Sequence, residues 1–265
     1  MVFIVLPVFN EEPSLGPLLE RFEAVARGGV ELARVVVVDD GSRDASAAVA
    51  ESFRKRLPLE LLRHDVNQGL GRTIQDGLLH AASLAGPADA VVTMDADCTH
   101  PPEIIPRMLA ALDAGADVVI ASRYRRGARV RGLSPFRVLM SYGARAAFRL
   151  LRPVCHVRDY TCGFRAYRAG VLQRAIEASG GVLAHERGFA SMAEILFSLA
   201  AVGARFHEVP FVLDYGLKRG ASKMPVGATV ARILRLAAGG RLPPPAPPKP
   251  DPDHPGQRAH TARPE

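Results

Sequence analysis

The 265-residue chain has no tryptophan, only three cysteines, and no run of about eighteen apolar side chains. That last absence argues against a bilayer-spanning helix, which needs roughly twenty such residues. Nothing at the amino terminus reads as a secretory signal, so a cytoplasmic setting is expected. Cys98, Cys155 and Cys162 are odd in number and lack metal-site spacing. They fit free thiols in a reducing compartment. Acids are missing from one long stretch: Val118 to Arg158 holds ten arginines, no lysine and no Asp or Glu. That exceeds the net charge of +7, so the rest of the chain is mildly acidic. A basic patch suits nucleic acid, a membrane surface or a phosphorylated substrate. Nucleic acid would need base-stacking aromatics beside the charge, and few are there, so it is not an expected partner.

What is present alternates regularly. Met1 to Phe9 is almost wholly apolar and reads as a buried strand. Pro13 to Arg27 has helical spacing, with proline at its start and Gly28-Gly29 at its end. Arg34 to Val38 and Leu59 to Leu62 read as strands, separated by a helix that Asp44 caps. A helix running to Leu84, the strand Val91 to Met94, and the strand from Asp117 to Ser122 complete the pattern. Strands and helices alternating at this length predict an α/β fold with a doubly wound, mostly parallel sheet. The polar clusters Asn10-Glu11, Asp39-Asp40, Asn67 and Asp95-Asp97 each follow a strand and should share one sheet edge.

Beyond Ser122 the pattern changes. Ser134 to Leu151 reads as a helix with Phe136, Leu139, Met140, Ala144, Ala147, Phe148 and Leu151 on one side, flanked by Arg137, Arg145, Arg149 and Arg152. Such a helix suits an anionic membrane surface, with these arginines at the headgroups. Asp159 to Arg165 reads as a loop, and Phe206 to Leu213 as a single strand. Glu194 lies in an apolar helix, where its carboxylate is expected to pair with a base or face a cleft. His100 reads as a loop residue. Val226, Val230, Ile233, Leu234 and Ala237 predict an amphipathic helix over 226–240. The proline-rich residues 241–265 are expected to be disordered.

The two carboxylates Asp95 and Asp97 carry the chemistry. Alternate strand residues share a face, so an i, i+2 pair can converge at the carboxyl end of a strand, where open α/β sheets bind ligands. Two carboxylates there repel one another unless a cation joins them. Mg²⁺ takes one or two carboxylates together with phosphate oxygens.

Seven motifs occur in order: Leu6-Pro7-Val8-Phe9-Asn10-Glu11, Val38-Asp39-Asp40-Gly41-Ser42, Asn67-Gln68-Gly69-Leu70-Gly71, Asp95-Ala96-Asp97, Ser122-Arg123-Tyr124, Gly163-Phe164-Arg165 and Gly220-Ala221-Ser222-Lys223. The set resembles the family-2 inverting glycosyltransferases, most closely the dolichyl- or polyprenyl-phosphate mannose synthases, over residues 2–225. The resemblance implies a GT-A-like catalytic domain in which Pro7, Phe9, Glu11, Val38 and Asp40 hold the base and ribose of a nucleotide sugar. It implies that Asp95, Ala96 and Asp97 bind nucleotide and Mg²⁺ or Mn²⁺, and that Arg123 and Lys223 meet the phosphates. The implied donor is GDP-mannose, with UDP-glucose or another nucleotide sugar as the alternative. The implied acceptor is a polyprenyl phosphate at the inner membrane face, with a soluble acceptor or a non-catalytic basic module as alternatives. Two departures stand out. Cys98-Thr99 replaces the family's usual Leu-Gln, so Thr99 offers a hydroxyl as third metal ligand or leaves that place to water. Leu217 replaces an arginine, with Lys218 or Arg219 as possible substitutes.

Overall fold

The computed structural model describes residues 1–217, 232 and 234–239, with the backbone alone at 135–137. The elements in chain order are β1 (Val2–Val8), α1 (Glu12–Arg27), β2 (Leu32–Asp39), α2 (Ser46–Ser52), β3 (Leu59–Arg63), α3 (Leu70–Leu84), β4 (Ala90–Thr93), α4 (Ile105–Asp113) and β5 (Val118–Ser122). They continue with β6 (Arg129–Arg131), α5 (Pro135–Leu151), β7 (Arg165–Arg168), α6 (Ala169–Ala178), α7 (Ser191–Ala201), β8 (Phe206–Pro210) and β9 (Val212–Asp214).

Seven strands form the main sheet in the order β3-β2-β1-β4-β7-β5-β8. All its pairings are parallel except those of β7, which runs antiparallel to both β4 and β5. The near-continuous apolar runs of β1, β2 and β5 follow from burial on both sheet faces. In α1, Leu15, Leu18, Leu19, Phe22 and Val25 recur at helical spacing, and all are buried. Helix α3 packs over β1, β2 and β4, where Gly77 permits close approach: a Cβ there would stand 2.4 Å from a Val5 methyl. At Gly71 a Cβ would stand 1.9 Å from the Glu186 carbonyl oxygen, so this glycine lets α3 start against the 184–188 loop.

Several expectations are corrected. Strand β7 begins at Arg165, where the predicted loop ends, and is not among the expected strands; its antiparallel pairings are the exception in a sheet that is mostly parallel, as expected. Phe206 to Leu213 is two strands: β8 joins the main sheet, while β9 pairs with β6 in a separate ribbon. Among the described residues the Glu194 carboxylate has no basic side chain as partner; it accepts the backbone N–H groups of His185 and Glu186, both at 2.7 Å. On α5, Phe148 is buried but Leu139 and Leu151 are 68% and 57% exposed, so the predicted stripe is split between core and surface. Arg145 lies over the Tyr124 ring and Arg152 over the Phe197 ring, so these two arginines pack on the protein. At the carboxyl-terminal end, Leu236 and Ala237 are buried while Leu234 is half exposed, in place of the predicted common face. Val226, Val230, Ile233 and residues 241–265 lie outside the described residues.

Candidate active site

Because β1 to β4 are parallel, the turns that follow them meet at one edge, as the sequence pattern predicts. The turns after β1 and β2 are laced together. Asn10 N–H donates to Ser42 Oγ (2.9 Å), Arg43 N–H to Asn10 Oδ1 (2.8 Å), and Glu11 N–H to Ser46 Oγ (2.9 Å). Asn10 takes a left-handed backbone, φ 51°, which asparagine tolerates better than most residues. Pro7 and Val38 are register partners across β1 and β2, which places both motifs side by side. Val38 is fully buried there.

Asp39 and Asp40 are both buried, and their carboxylates brace loops. Asp39 accepts the Ser42 N–H (2.9 Å) and pairs with Arg63 (3.0 Å). Asp40 accepts the N–H groups of Gln68 (2.8 Å) and Gly69 (2.9 Å). His64 spans Asp40 (2.8 Å) and Asp76 (3.1 Å). Asp40 thus holds the Asn67–Gly71 motif against the end of β2, a link that local sequence does not reveal.

The Asp95-Ala96-Asp97 motif follows the same edge, but β4 stops at Thr93. The pair therefore sits on the turn beyond the strand, not on alternate strand positions. Asp97 is 7% exposed, and its Oδ1 accepts both the Thr99 N–H (3.1 Å) and the Thr99 hydroxyl (2.6 Å). Thr99 is buried and donates its proton to Asp97. That bond fixes the Asp97 carboxylate and leaves the lone pairs of the Thr99 oxygen available. The Asp95 side chain retains about a third of its exposure. Its backbone N–H donates to His100 Nδ1 (3.0 Å), which puts the imidazole proton on Nε2, 3.7 Å from Asp95 Oδ2. His100 is buried and stacked on Phe164, with Phe211 at its edge. Gly163 makes room for the carboxylate, since a Cβ there would lie 3.2 Å from Asp95 Oδ1. Thr93 Oγ1 donates to the Gly163 carbonyl (2.7 Å), tying β4 to the Gly-Phe-Arg motif. The role of His100 was missed; its place directly after Asp-x-Asp-x-x was the available signal.

Arg123, a predicted phosphate ligand, is committed first to a buried partner. Its Nε and Nη2 donate to Asp159 at 2.8 and 2.6 Å, and Nη2 also donates to Thr161 (2.8 Å). Burial pushes the Asp159 carboxyl up, but the Arg123 guanidinium outweighs it and holds the group below the usual carboxylate range. Burial pushes the Cys162 thiol up to about 12, which Asp159 reinforces, so this thiol stays protonated and inert at neutral pH. Arg165 is fully buried, donating to the carbonyls of Met192 (2.7 Å) and Tyr160 (2.8 Å). Lys218, Arg219 and Lys223 lie outside the described residues.

A sheet wound this way, with paired carboxylates on its carboxyl edge, defines a GT-A-like sugar-nucleotide transferase architecture. The chain belongs to glycosyl transferase family 2, whose model matches residues 3–175. It is 32% identical over 237 residues to the dolichol-phosphate mannosyltransferase of Pyrococcus furiosus, covering 88% of this chain and 62% of that protein. It is 38% identical over 175 residues to the undecaprenyl-phosphate 4-deoxy-4-formamido-L-arabinose transferase of Pseudomonas fluorescens, covering 64% and 48% respectively. The chain thus spans between about half and three fifths of the length of these relatives. Glucosyl-3-phosphoglycerate synthase from Mycobacterium tuberculosis, crystallised with Mn²⁺, UDP and glucosyl-3-phosphoglycerate, shares the fold. Its TM-score is 0.62 at 19% identity, covering 91% of this chain and 81% of that one.

Proposed function

We propose that this protein transfers a hexosyl group from a nucleotide diphosphate sugar to a polyprenyl phosphate at the inner membrane face, with mannose from GDP-mannose as the transferred group. The braced Asp95–Asp97 turn on the sheet's ligand-binding edge carries this reading. The two relatives, named for transfer to dolichol phosphate and undecaprenyl phosphate, support the lipid acceptor. Two hard carboxylates, one partly exposed and one fixed by Thr99, fit a divalent ion such as Mg²⁺ or Mn²⁺. When bound there, that ion supplies the positive charge that a departing nucleoside diphosphate requires.

The rest of the work falls to the chain's own residues. An acceptor phosphate oxygen attacks the anomeric carbon as the bond to the diphosphate breaks, and the nucleoside diphosphate departs with the electron pair. The acceptor is already anionic, so no side chain has to remove a proton. Pro7, Phe9 and Glu11, laced to the turn after β2, offer the base and ribose a fixed wall. His100 and Gly163 set the position of Asp95, and Thr99 sets that of Asp97. Arg123, oriented by Asp159 near the end of β5, is one phosphate candidate, and Lys223 and Arg219 are the others. Catalysis is then chiefly positioning and charge stabilisation.

Two measurements test this. A panel of nucleotide sugars with a short polyprenyl phosphate should give product from GDP-mannose and none with a chelator present. Turnover from UDP-glucose alone would reassign the donor; no turnover with any lipid phosphate would reject the acceptor. By calorimetry, GDP should bind only with Mg²⁺ or Mn²⁺, and about tenfold or more weakly in Asp40→Ala, which frees the Gln68–Gly69 loop. If neither GDP nor UDP binds with either ion present, the transferase reading fails.

A further inference from the structure

We infer that a second anion site, separate from the carboxylate edge, binds the phosphate headgroup of an anionic bilayer lipid that is not the acceptor. It is a pocket of about 270 Å³ lined by Arg125, Arg149, His156, Arg158 and Tyr160 among others. The inference rests on the membrane side of the function above and not on its choice of donor.

Three separate segments contribute the arginines that line it. Arg125 comes from the turn after β5, Arg149 from the last turn of α5, and Arg158 from the loop that leads to β7. That loop is pinned: Val154 N–H donates to Tyr160 Oη (3.0 Å), and the Arg158 and Asp159 N–H groups donate to Glu208 (2.7 and 2.8 Å). Among the described residues, no carboxylate stands within ion-pair distance of Arg125, Arg149 or Arg158. Of the neighbouring acids, Asp159 is paired with Arg123, and Glu208 Oε1 is engaged by the backbone N–H groups of Arg158 and Asp159. Three arginines lining one cavity with no ion-pair partner among the described residues give it a positive potential, which a phosphate would relieve with charge-assisted hydrogen bonds.

The surface beside the pocket decides the source of that phosphate. Leu139, Tyr142 and Leu150 are 68%, 51% and 81% exposed. At 100° per residue they share the outer side of α5 with Arg149, opposite the buried Phe148. At 1.5 Å per residue the 17-residue helix is about 26 Å long, short of a bilayer core of roughly 30 Å. Lying flat, it places leucines at the acyl boundary and the arginine pocket at headgroup depth, the pattern of an interfacial helix. A soluble phosphate would gain nothing from those leucines.

The full chain is sedimented with vesicles of phosphatidylcholine alone or with 30 mol% phosphatidylglycerol added, a composition of roughly physiological charge density. We expect binding to the anionic vesicles only, lost toward 0.5 M salt, where the Debye length is about 4 Å. Arg125→Gln with Arg149→Gln and Arg158→Gln should weaken it about a hundredfold, and Arg158→Gln alone about fivefold. Both variants should keep Mg²⁺-dependent GDP binding without vesicles, which separates this pocket from the nucleotide site and reports a folded protein. Leu139→Ser with Leu150→Ser should lose the vesicles while calorimetry still detects inorganic phosphate. Equal pelleting with both vesicle types, or wild-type pelleting by the arginine variants, overturns the site. Phosphate binding with vesicle affinity unchanged by the leucine variant overturns the lipid and leaves a soluble anion.

Discussion

Asp159→Asn is expected to lower the free energy of unfolding by about 3–5 kcal/mol, because it leaves the Arg123 charge buried beside a neutral amide. The wild-type carboxylate is fully buried and accepts both the guanidinium and the backbone N–H of Arg123, together with the Cys162 N–H. Such a pair adds little over an apolar replacement of both partners, but removing one partner alone strands the other. The pH dependence follows in sign. The Asp159 carboxyl is depressed in the folded protein, so its stabilisation is present above its unfolded value, about 3.9. It is lost as pH falls through the lower folded value. Glu208 is raised by burial and acts oppositely: its contribution is full at low pH and is lost as pH rises through its folded value. Urea unfolding of wild type and variant from pH 7 to pH 3 separates the two, because only the wild type should show the Asp159 acid limb. A variant within 1 kcal/mol of wild type, with the same acid limb, would show that the ion pair is not what holds Arg123.

The second large effect belongs to Asp97→Asn. Turnover should fall by about a thousandfold or more if the proposed cation site is right, since one of its two carboxylate charges is removed at constant size. Folding should survive, because the asparagine carbonyl oxygen can accept the same two bonds from the Thr99 N–H and hydroxyl. Thermal unfolding beside a steady-state assay reads both consequences. An active, folded Asp97→Asn protein would remove this carboxylate from the chemistry.

The parallel half of the fold was legible because β1, β2 and β4 are apolar on both faces and end in polar turns. Strand β7 was not: its four residues, Arg-Ala-Tyr-Arg, look like a surface segment until Arg165 finds two main-chain carbonyls inside the core. At the site, the place of the Asp95–Asp97 pair just beyond a strand could be read from the apolar run that precedes it. The groups that fix it could not, because their partners are remote or local sequence gives them another reading. His100 looks like a loop residue before it is seen stacked on Phe164, and Asp159 lies 36 residues from Arg123. Glu194 and Asp40 show the same limit from the other side. Both carboxylates also accept backbone N–H groups that only the folded chain brings within reach.

The antiparallel insertion of β7 also bears on how the protein is made. Strands β1 to β4 can pair in the order in which they leave the ribosome, through short crossovers. β7 then has to enter between β4 and β5, and the Thr93–Gly163 bond beside it closes over seventy residues of chain. Long loop closures slow folding, so the amides of β7 should gain protection later than those of β2 in pulse-labelled hydrogen exchange. Simultaneous protection of the two strands would refute that order. Until β7 arrives, β4 and β5 each present an unpaired edge, a template for pairing with another chain. A nascent chain stalled before Arg165 would therefore expose both edges at once, and the turn bearing Asp95 would be among the last parts of the enzyme to acquire its walls.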